Sequence, residues 1–113
     1  MDETYLLDTI IADAYLKGVS DIHFELLAGS DTSRVLIRMD GVLKEYMTLP
    51  YAAADDIVKK IRSMANLDIA VNHLPGLGHF KFKHKGLPQF HIMVTTRPAD
   101  EMKEATSLRI KTA

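Results

Sequence analysis

Titratable side chains alternate with apolar ones in residues 20–26, which read Ser-Asp-Ile-His-Phe-Glu-Leu. Because strand side chains alternate with a period of two, Asp21, His23 and Glu25 are predicted to share a solvated face, and the apolar residues between them face a core. An imidazole between two carboxylates could relay a proton or bind a metal ion. Side chains two positions apart on a strand stand roughly 7 Å apart, however, so three of them seldom meet on one ion. We therefore predict a hydrogen-bonded structural triad and no metal site.

A second polar block, Arg38-Met-Asp-Gly-Val-Leu43, predicts a hairpin. Asp-Gly between two apolar runs is typical of a tight turn, since glycine accepts a positive φ and aspartate hydrogen-bonds the local backbone. Asp40 and Gly41 are therefore interpreted as structural. Arg38 is expected on the polar face of its strand, where the pattern alone predicts a solvated side chain.

Another arginine stands in the apolar run Leu108-Arg-Ile110 near the C-terminus. Alternation predicts that Arg109 points outward from a last strand. A guanidinium pairs readily with carboxylates and phosphates. Two roles are therefore open for Arg109: pairing with Glu104 or Asp40, or contacting a ligand.

The composition is that of one ordinary soluble domain. The chain has 113 residues, 47% of them hydrophobic, a formal net charge of −1 and no cysteine. The overall charge therefore favours neither nucleic acid nor an anionic membrane, and the apolar runs are too short to span a bilayer. There is also no phosphate loop, because Gly76-Leu-Gly78 is not followed by Gly-Lys-Ser.

Hydrophobic periodicity places two helices among six strands. The helices are predicted at 3–17 and 52–65, each with one apolar stripe; Asp13 lies off the first stripe, and Arg62 is expected to be mostly solvated on the second helix. The strands are predicted at 20–26, 34–39, 42–48, 79–85, 88–96 and from 107 onward. Residues 97–104 are interpreted as a polar connection. Since hairpin connections dominate, we expect an α+β fold with a mainly antiparallel sheet of about six strands and both helices packed on one side.

The remaining histidines, His73, His79, His84 and His91, predict no zinc site. There is no cysteine to join them, and none of them has the helical spacing of a metalloprotease motif. His79 and His91 could face each other across the last hairpin, but two ligands do not make a site. In residues 80–84 the aromatics alternate with lysines, which predicts buried aromatics and disfavours nucleic-acid binding.

These motifs, taken in order, resemble a known family. They are residues 20–25, 38–43 and 64–70, Pro75 with Gly78, residues 94–96, Pro98, Glu104 and residues 108–110. The same order occurs in the domain that precedes the motor domain in ATPases of type II secretion and type IV pilus assembly. The resemblance implies that residues 1–113 form a single PAS-like domain, placed before a P-loop ATPase domain that this sequence does not contain.

The resemblance also implies a function. In the family, arginines of this domain reach the nucleotide, and the matching positions here are Arg38, Arg109 and His79. The domain is expected to be non-catalytic and to hold no cofactor of its own, while ATP and Mg belong to the full-length protein. The implied partners are the C-terminal ATPase domain, neighbouring subunits of a hexamer and platform proteins of the inner membrane, with no nucleic acid. The implied location is cytoplasmic, peripheral to the inner membrane.

Departures from the family pattern favour an alternative. Leu36, Met93, His73 and His79 stand where the family has arginines, and histidine near neutral pH is only partly charged. The alternative is a stand-alone PAS-like protein-interaction module without nucleotide contact. A sensory domain with a small ligand ranks last, because no cysteine could attach a flavin and no histidine suits a haem.

Overall fold

The computed structural model describes residues 3–27, 29–67, 76–100 and 103–111. They form two helices and six strands in the order α1 (Glu3–Leu16), β1 (Asp21–Leu27), β2 (Thr32–Met39), β3 (Val42–Pro50), α2 (Tyr51–Met64), β4 (Gly76–Phe82), β5 (Phe90–Asp100) and β6 (Lys103–Lys111). The predicted order of elements is confirmed. Neither described helix is long and apolar enough to cross a membrane.

The six strands form one antiparallel sheet in the order β3-β2-β1-β6-β5-β4. The first strand therefore lies near the centre, hydrogen-bonded on one side to β2 and on the other to the last strand, β6. Both helices contribute to one hydrophobic core with the same face of this sheet. The predicted α+β class and antiparallel sheet are thus confirmed.

Alternation along β1 supplies the centre of the core. Ile22, Phe24 and Leu26 are at most 1% exposed, and they meet the apolar stripes of α1 and α2. Burying each such side chain contributes about 1.5–3 kcal/mol. The stripes are those that the periodicity predicts, with Ile57 and Ile61 completely buried on α2.

One residue of α2 departs from the prediction. Arg62, expected to be solvated, is 3% exposed. It follows the buried Val58 by one helical turn, so it lies on the flank of the stripe that packs against the sheet. Periodicity assigned it to the polar face because the residue is charged, whereas its place on the helix is within the contact surface.

The C-terminal half of the sheet is longer than predicted. Residues 97–100 and 103–104, predicted to be part of a polar connection, belong to strands: β5 continues to Asp100, and β6 begins at Lys103, where the two residues pair. β4 also begins at Gly76, earlier than expected. Polar and glycine-rich sequences predict loops. Backbone hydrogen bonds to a neighbouring strand can nevertheless extend a strand into such a sequence, because the pairing does not depend on the side chains. Residues 68–75, which include His73 and Pro75, lie outside the described part.

Gly78 explains the glycine-rich start of β4. A Cβ at this position would lie 2.7 Å from the backbone oxygen of Ala65, at the end of α2. Real Cβ atoms do not approach a carbonyl oxygen so closely, and backbone cannot yield as a side chain does. Gly78 therefore permits close packing between β4 and the end of α2.

The C-terminal end of α1 is tied to the edge strand β3 by three polar residues. Tyr46, the extra residue at a bulge in β3, donates a 2.5 Å hydrogen bond to Asp13, which also pairs with Lys17 at 3.1 Å. Burial, together with the bond to Asp13, raises the pKa of Tyr46 to about 12. The hydrogen bond from Tyr46, together with Lys17, holds the pKa of Asp13 below its usual value. Periodicity placed Asp13 off the apolar stripe but could not show this partner.

We predict that Ile61→Asp unfolds the domain. The side chain is fully buried between α2 and the sheet, and an unpaired buried carboxylate costs several kcal/mol. Lys60→Asp introduces the same residue at the adjacent exposed position and serves as the control. Thermal unfolding followed by circular dichroism should show loss of the native transition for Ile61→Asp and a nearly unchanged transition for the control. Equal melting temperatures would contradict the assignment of this helix face.

Candidate functional site

The sheet face opposite the helices, here called the outer face, brings the separate sequence motifs together. One row of directly paired residues crosses all six strands: Leu43, Arg38, Asp21, Arg109, Met93 and His79. We call it the arginine row. Arg38, Arg109 and His79, which come from three different motifs, thus lie in line, and the two arginines flank Asp21 on either side.

Asp21 is the centre of the arginine row. It is 5% exposed, although it was expected on a solvated face. Its carboxylate accepts hydrogen bonds from Arg109 Nε at 2.9 Å and from Ser20 Oγ at 2.8 Å. Burial alone would raise the pKa of Asp21, but these two bonds outweigh burial and lower it. Asp21 is therefore a buried, ionised anchor.

Arg109 pairs with Asp21, which the sequence analysis did not consider as its partner. The reason is register: antiparallel pairing sets Arg109 directly opposite Asp21. Arg109 donates its Nε hydrogen to Asp21, and its side chain remains 63% exposed. The Nη groups of Arg109 have no hydrogen-bond partner among the described residues. A guanidinium held through Nε presents its two remaining forked donors to an incoming anion.

Arg38 occupies the mirror position on β2, also opposite Asp21. Its Nη1 donates a 3.2 Å hydrogen bond to the carbonyl oxygen of Gly41, so the half-exposed side chain folds back over the turn. Asp40 and Gly41 have φ values of 53° and 77°, the pair of positive angles that a two-residue hairpin turn requires. These angles suit the structural role predicted for the two residues, and the turn also orients Arg38.

His23 lies in the next row of the outer face, opposite Ser107. Its Nδ1 lies 2.7 Å from Ser107 Oγ, and its buried Nε2 has no partner among the described residues. Burial lowers the pKa of His23, and Arg38 and Arg97 act in the same direction, against Asp21 and Glu25. The imidazole is thus biased toward the neutral form.

The three polar residues of β1 do not act as one triad. Asp21 is tied to Arg109, His23 to Ser107, and Glu25 to Arg34 at 2.7 Å. Each bond runs across strands, because the next residue on the same face of a strand is too far away for a direct hydrogen bond. The outer face is consequently a set of cross-strand pairs.

A shallow depression of about 340 Å³ opens beside the arginine row, between β1, β6, β5 and β4. Its walls include Asp21, His23, Ser107, Arg97 and Arg109. The depression therefore combines two arginines with hydroxyl and imidazole groups. This set of donors can hold an anionic group at the surface.

His79 is exposed at the β4 end of the arginine row, opposite Met93. The expectation that His79 faces His91 is wrong, since His91 pairs with Lys81. Within the described residues, no three histidine or acidic side chains are grouped closely enough to hold a metal ion. Glu104 lies in β6 opposite Leu26, and its side chain lies outside the described part.

Ser20 and Ser107 are site residues that sequence reasoning missed. Serine carries no strong signal by itself. Ser107, however, lies two positions before Arg109, so alternation along an extended last strand would have placed both on one face. Ser20 precedes β1 and was not singled out.

Fold and site together define an α+β domain whose arginine-bearing sheet face is left uncovered by its own helices. A sequence profile for the family described as Type II/IV secretion system protein matches residues 3–112. The chain therefore belongs to this family.

Individual relatives agree with the family assignment. The chain is 41% identical over 78 residues to the protein transport protein HofB homolog of Haemophilus influenzae, covering 69% of the chain and 16% of that protein. It is 30% identical over 104 residues to the type IV pilus assembly ATPase PilB of Thermus thermophilus, covering 92% and 11%. The type II secretion system ATPase E of Vibrio cholerae is 30% identical over 94 residues, with coverage of 83% and 18%. The chain thus spans less than a fifth of each of these relatives.

A solved structure shows the same fold. The ATPase DotB of Legionella pneumophila superposes with a TM-score of 0.63 at 16% identity, over 94% of this chain and 29% of that one. At this identity the likeness concerns the fold alone.

The state of His23 predicts a pH dependence of stability. Its folded pKa lies below the ordinary 6.5, so the unfolded chain binds more protons in the interval between the two values. The free energy of unfolding should therefore fall as the pH falls through 6.5. Below the pKa that His23 has in the folded state, this contribution to stability stays lost. Thermal unfolding between about pH 7.5 and about pH 5.5 should show a smaller loss for His23→Gln than for the parent. The same slope in His23→Gln and in the parent would contradict the prediction.

Proposed function

We propose that this chain is a non-catalytic coupling domain of a secretion or type IV pilus assembly ATPase. In the longer protein, the outer face meets the nucleotide held by a following P-loop domain. The arginine row carries this proposal, because it aligns two arginines and a histidine on one uncovered surface.

The chemistry of the row suits a phosphate. Arg109 is anchored through Nε by the buried Asp21, and Arg38 is oriented by the carbonyl oxygen of Gly41. Positioned cations need little rearrangement when negative charge develops on a transferred phosphoryl group, so they stabilise the transition state. A loosely solvated arginine would first lose conformational freedom.

The domain itself contributes no hydrolytic machinery under this proposal. The sequence has no phosphate loop, and ATP and Mg would be bound by the following domain. Neighbouring subunits of a hexamer complete the arrangement, so that a movement of this domain against its neighbours accompanies hydrolysis. The assembly would be cytoplasmic and attached to the inner membrane through platform proteins.

One observation favours the alternative of a protein-interaction module with a PAS-like fold and no nucleotide contact. Leu36 is 6% exposed, and the half-buried Met93 lies in the arginine row itself. Together with the exposed Leu77 and Leu43, they give the outer face an apolar component. Such a face could bind another protein without any nucleotide.

We predict that the isolated chain does not hydrolyse ATP. Purified protein assayed for phosphate release should match a buffer blank, because the residues that hold β- and γ-phosphates and Mg are not in this sequence. Turnover above the blank that disappears in the Arg38→Ala, Arg109→Ala double variant would contradict the proposal, since it would assign hydrolysis to this domain.

In the longer protein, Arg109→Ala and Arg38→Ala are predicted to lower the rate of ATP hydrolysis. Loss of a cation aimed at transition-state charge commonly costs tenfold or more. The effect of Arg38→Ala should be the smaller one, because part of its hydrogen-bonding capacity is used by Gly41. Steady-state kinetics would measure kcat and KM, and size-exclusion chromatography would confirm an unchanged oligomer.

Arg34→Ala is the matched control. Arg34 lies on β2 and on the same face as Arg38, but four residues along the strand, about 13 Å away, and it pairs with Glu25. Its removal should leave hydrolysis near the parental rate. If all three variants hydrolyse ATP at the parental rate with normal oligomer size, the interaction module becomes the better description.

A further inference from the structure

Most of the β4–β5 hairpin, from Gly76 to Arg97, contains basic residues and no acidic ones. From Gly76 to Arg97 the sequence holds three lysines, three histidines and an arginine, without aspartate or glutamate. The whole chain, in contrast, has a formal net charge of −1. Positive charge is thus concentrated at one end of an almost neutral domain.

The fold brings five basic residues together at one end of the sheet. Lys81, His91 and Lys111 are paired directly across β4, β5 and β6 on the outer face, and strands are spaced by about 4.8 Å. Lys83 and Lys85 lie in the connection between β4 and β5, at the end of the hairpin. All five side chains are exposed, and none forms an ion pair within the described residues. We call this surface the basic patch.

Protection of a sheet edge does not account for the basic patch. Lysines on an edge strand commonly discourage pairing with other strands, and Lys81 lies on such an edge. His91 and Lys111, however, lie on β5 and β6, which are paired on both sides. The charge therefore extends inward over three strands.

The basic patch also lacks the features by which nucleic acids and acidic proteins are usually bound. The aromatic residues Phe80, Phe82 and Phe90 are 8%, 5% and 3% exposed on the opposite face, so none of these three rings can stack on a nucleic-acid base. Lysine is depleted in protein–protein interfaces, whose energy comes mainly from aromatic and arginine anchors. Flexible, exposed lysines suit instead a diffuse layer of negative charge.

We propose that the basic patch binds the anionic headgroups of a phospholipid bilayer directly. The proposal goes beyond the coupling function, in which attachment to the membrane runs through other proteins. Each lysine near an anionic membrane surface strengthens binding about fivefold, and the four lysines of the patch together suffice for reversible, salt-sensitive attachment. Lys111 ends β6, so the hairpin end and the end of the last strand would approach the membrane together.

The test is co-sedimentation of the purified chain with vesicles. Binding is expected to vesicles of phosphatidylcholine containing about one third phosphatidylglycerol, and not to phosphatidylcholine alone; it should weaken as salt rises. The triple variant Lys81→Gln, Lys83→Gln, Lys85→Gln should bind about 100-fold more weakly. Circular dichroism would verify that it is folded, as expected for three exposed positions.

A matched control separates the basic patch from the total charge. Lys44→Gln, Lys59→Gln, Lys60→Gln removes the same charge from exposed positions on β3 and α2 and should bind as the parent does. Equal weakening by both triple variants, or no binding to anionic vesicles, would overturn the proposal. Patch-dependent binding to polyglutamate without binding to vesicles would also overturn it, and would identify an acidic protein partner instead.

Discussion

The rest of the structure depends on the alternation of side chains along β1. Ile22, Phe24 and Leu26 occupy the core with almost no exposure, and a slip of one residue would exchange them for Asp21, His23 and Glu25. Such a slip would bury charge without partners, so the register is strongly determined. The same register sets Arg38 and Arg109 on either side of Asp21. The packing of the core thus positions the site on the opposite face.

The outer face, which no described helix or strand covers, is ordered because its polar groups pair across strands. A carboxylate that is 5% exposed is stable only when its charge is compensated, and Arg109 together with Ser20 provides this for Asp21. In return, Asp21 holds Arg109 in an orientation that a solvated side chain would not keep. Stability of the sheet and preorganisation of the site therefore have one origin. A variant of Asp21 would disturb both, which makes the exposed arginines the cleaner residues for functional tests.

Elements with strong periodicity could be predicted from the sequence, whereas the pairing of residues that lie far apart along the chain could not. The helices and the Asp40–Gly41 turn follow from local chemistry, and so does the buried face of β1. The extension of β5 and β6, by contrast, depends on backbone pairing between residues such as Asp100 and Lys103. Their polar side chains do not predict a strand. The burial of Arg62 follows from where α2 rests on the sheet. The choice of Asp21 as partner of Arg109 follows from register, which connects residues 88 positions apart.

The outer face carries two kinds of cation, and their difference argues for two kinds of partner. Arg38 and Arg109 are held by neighbouring groups and present directed donors, which suits one phosphate in a defined place. The lysines of the basic patch have no ion-pair partners within the described residues and remain exposed. An unrestrained ammonium group gains little from a single fixed anion, because holding its long stem costs conformational entropy. Against many mobile anions this cost is not incurred, since each lysine can exchange partners. The arginine row and the basic patch share the β5–β6 part of the sheet. A partner that tilts the domain at one of these surfaces would therefore also change how the other surface meets its own partner.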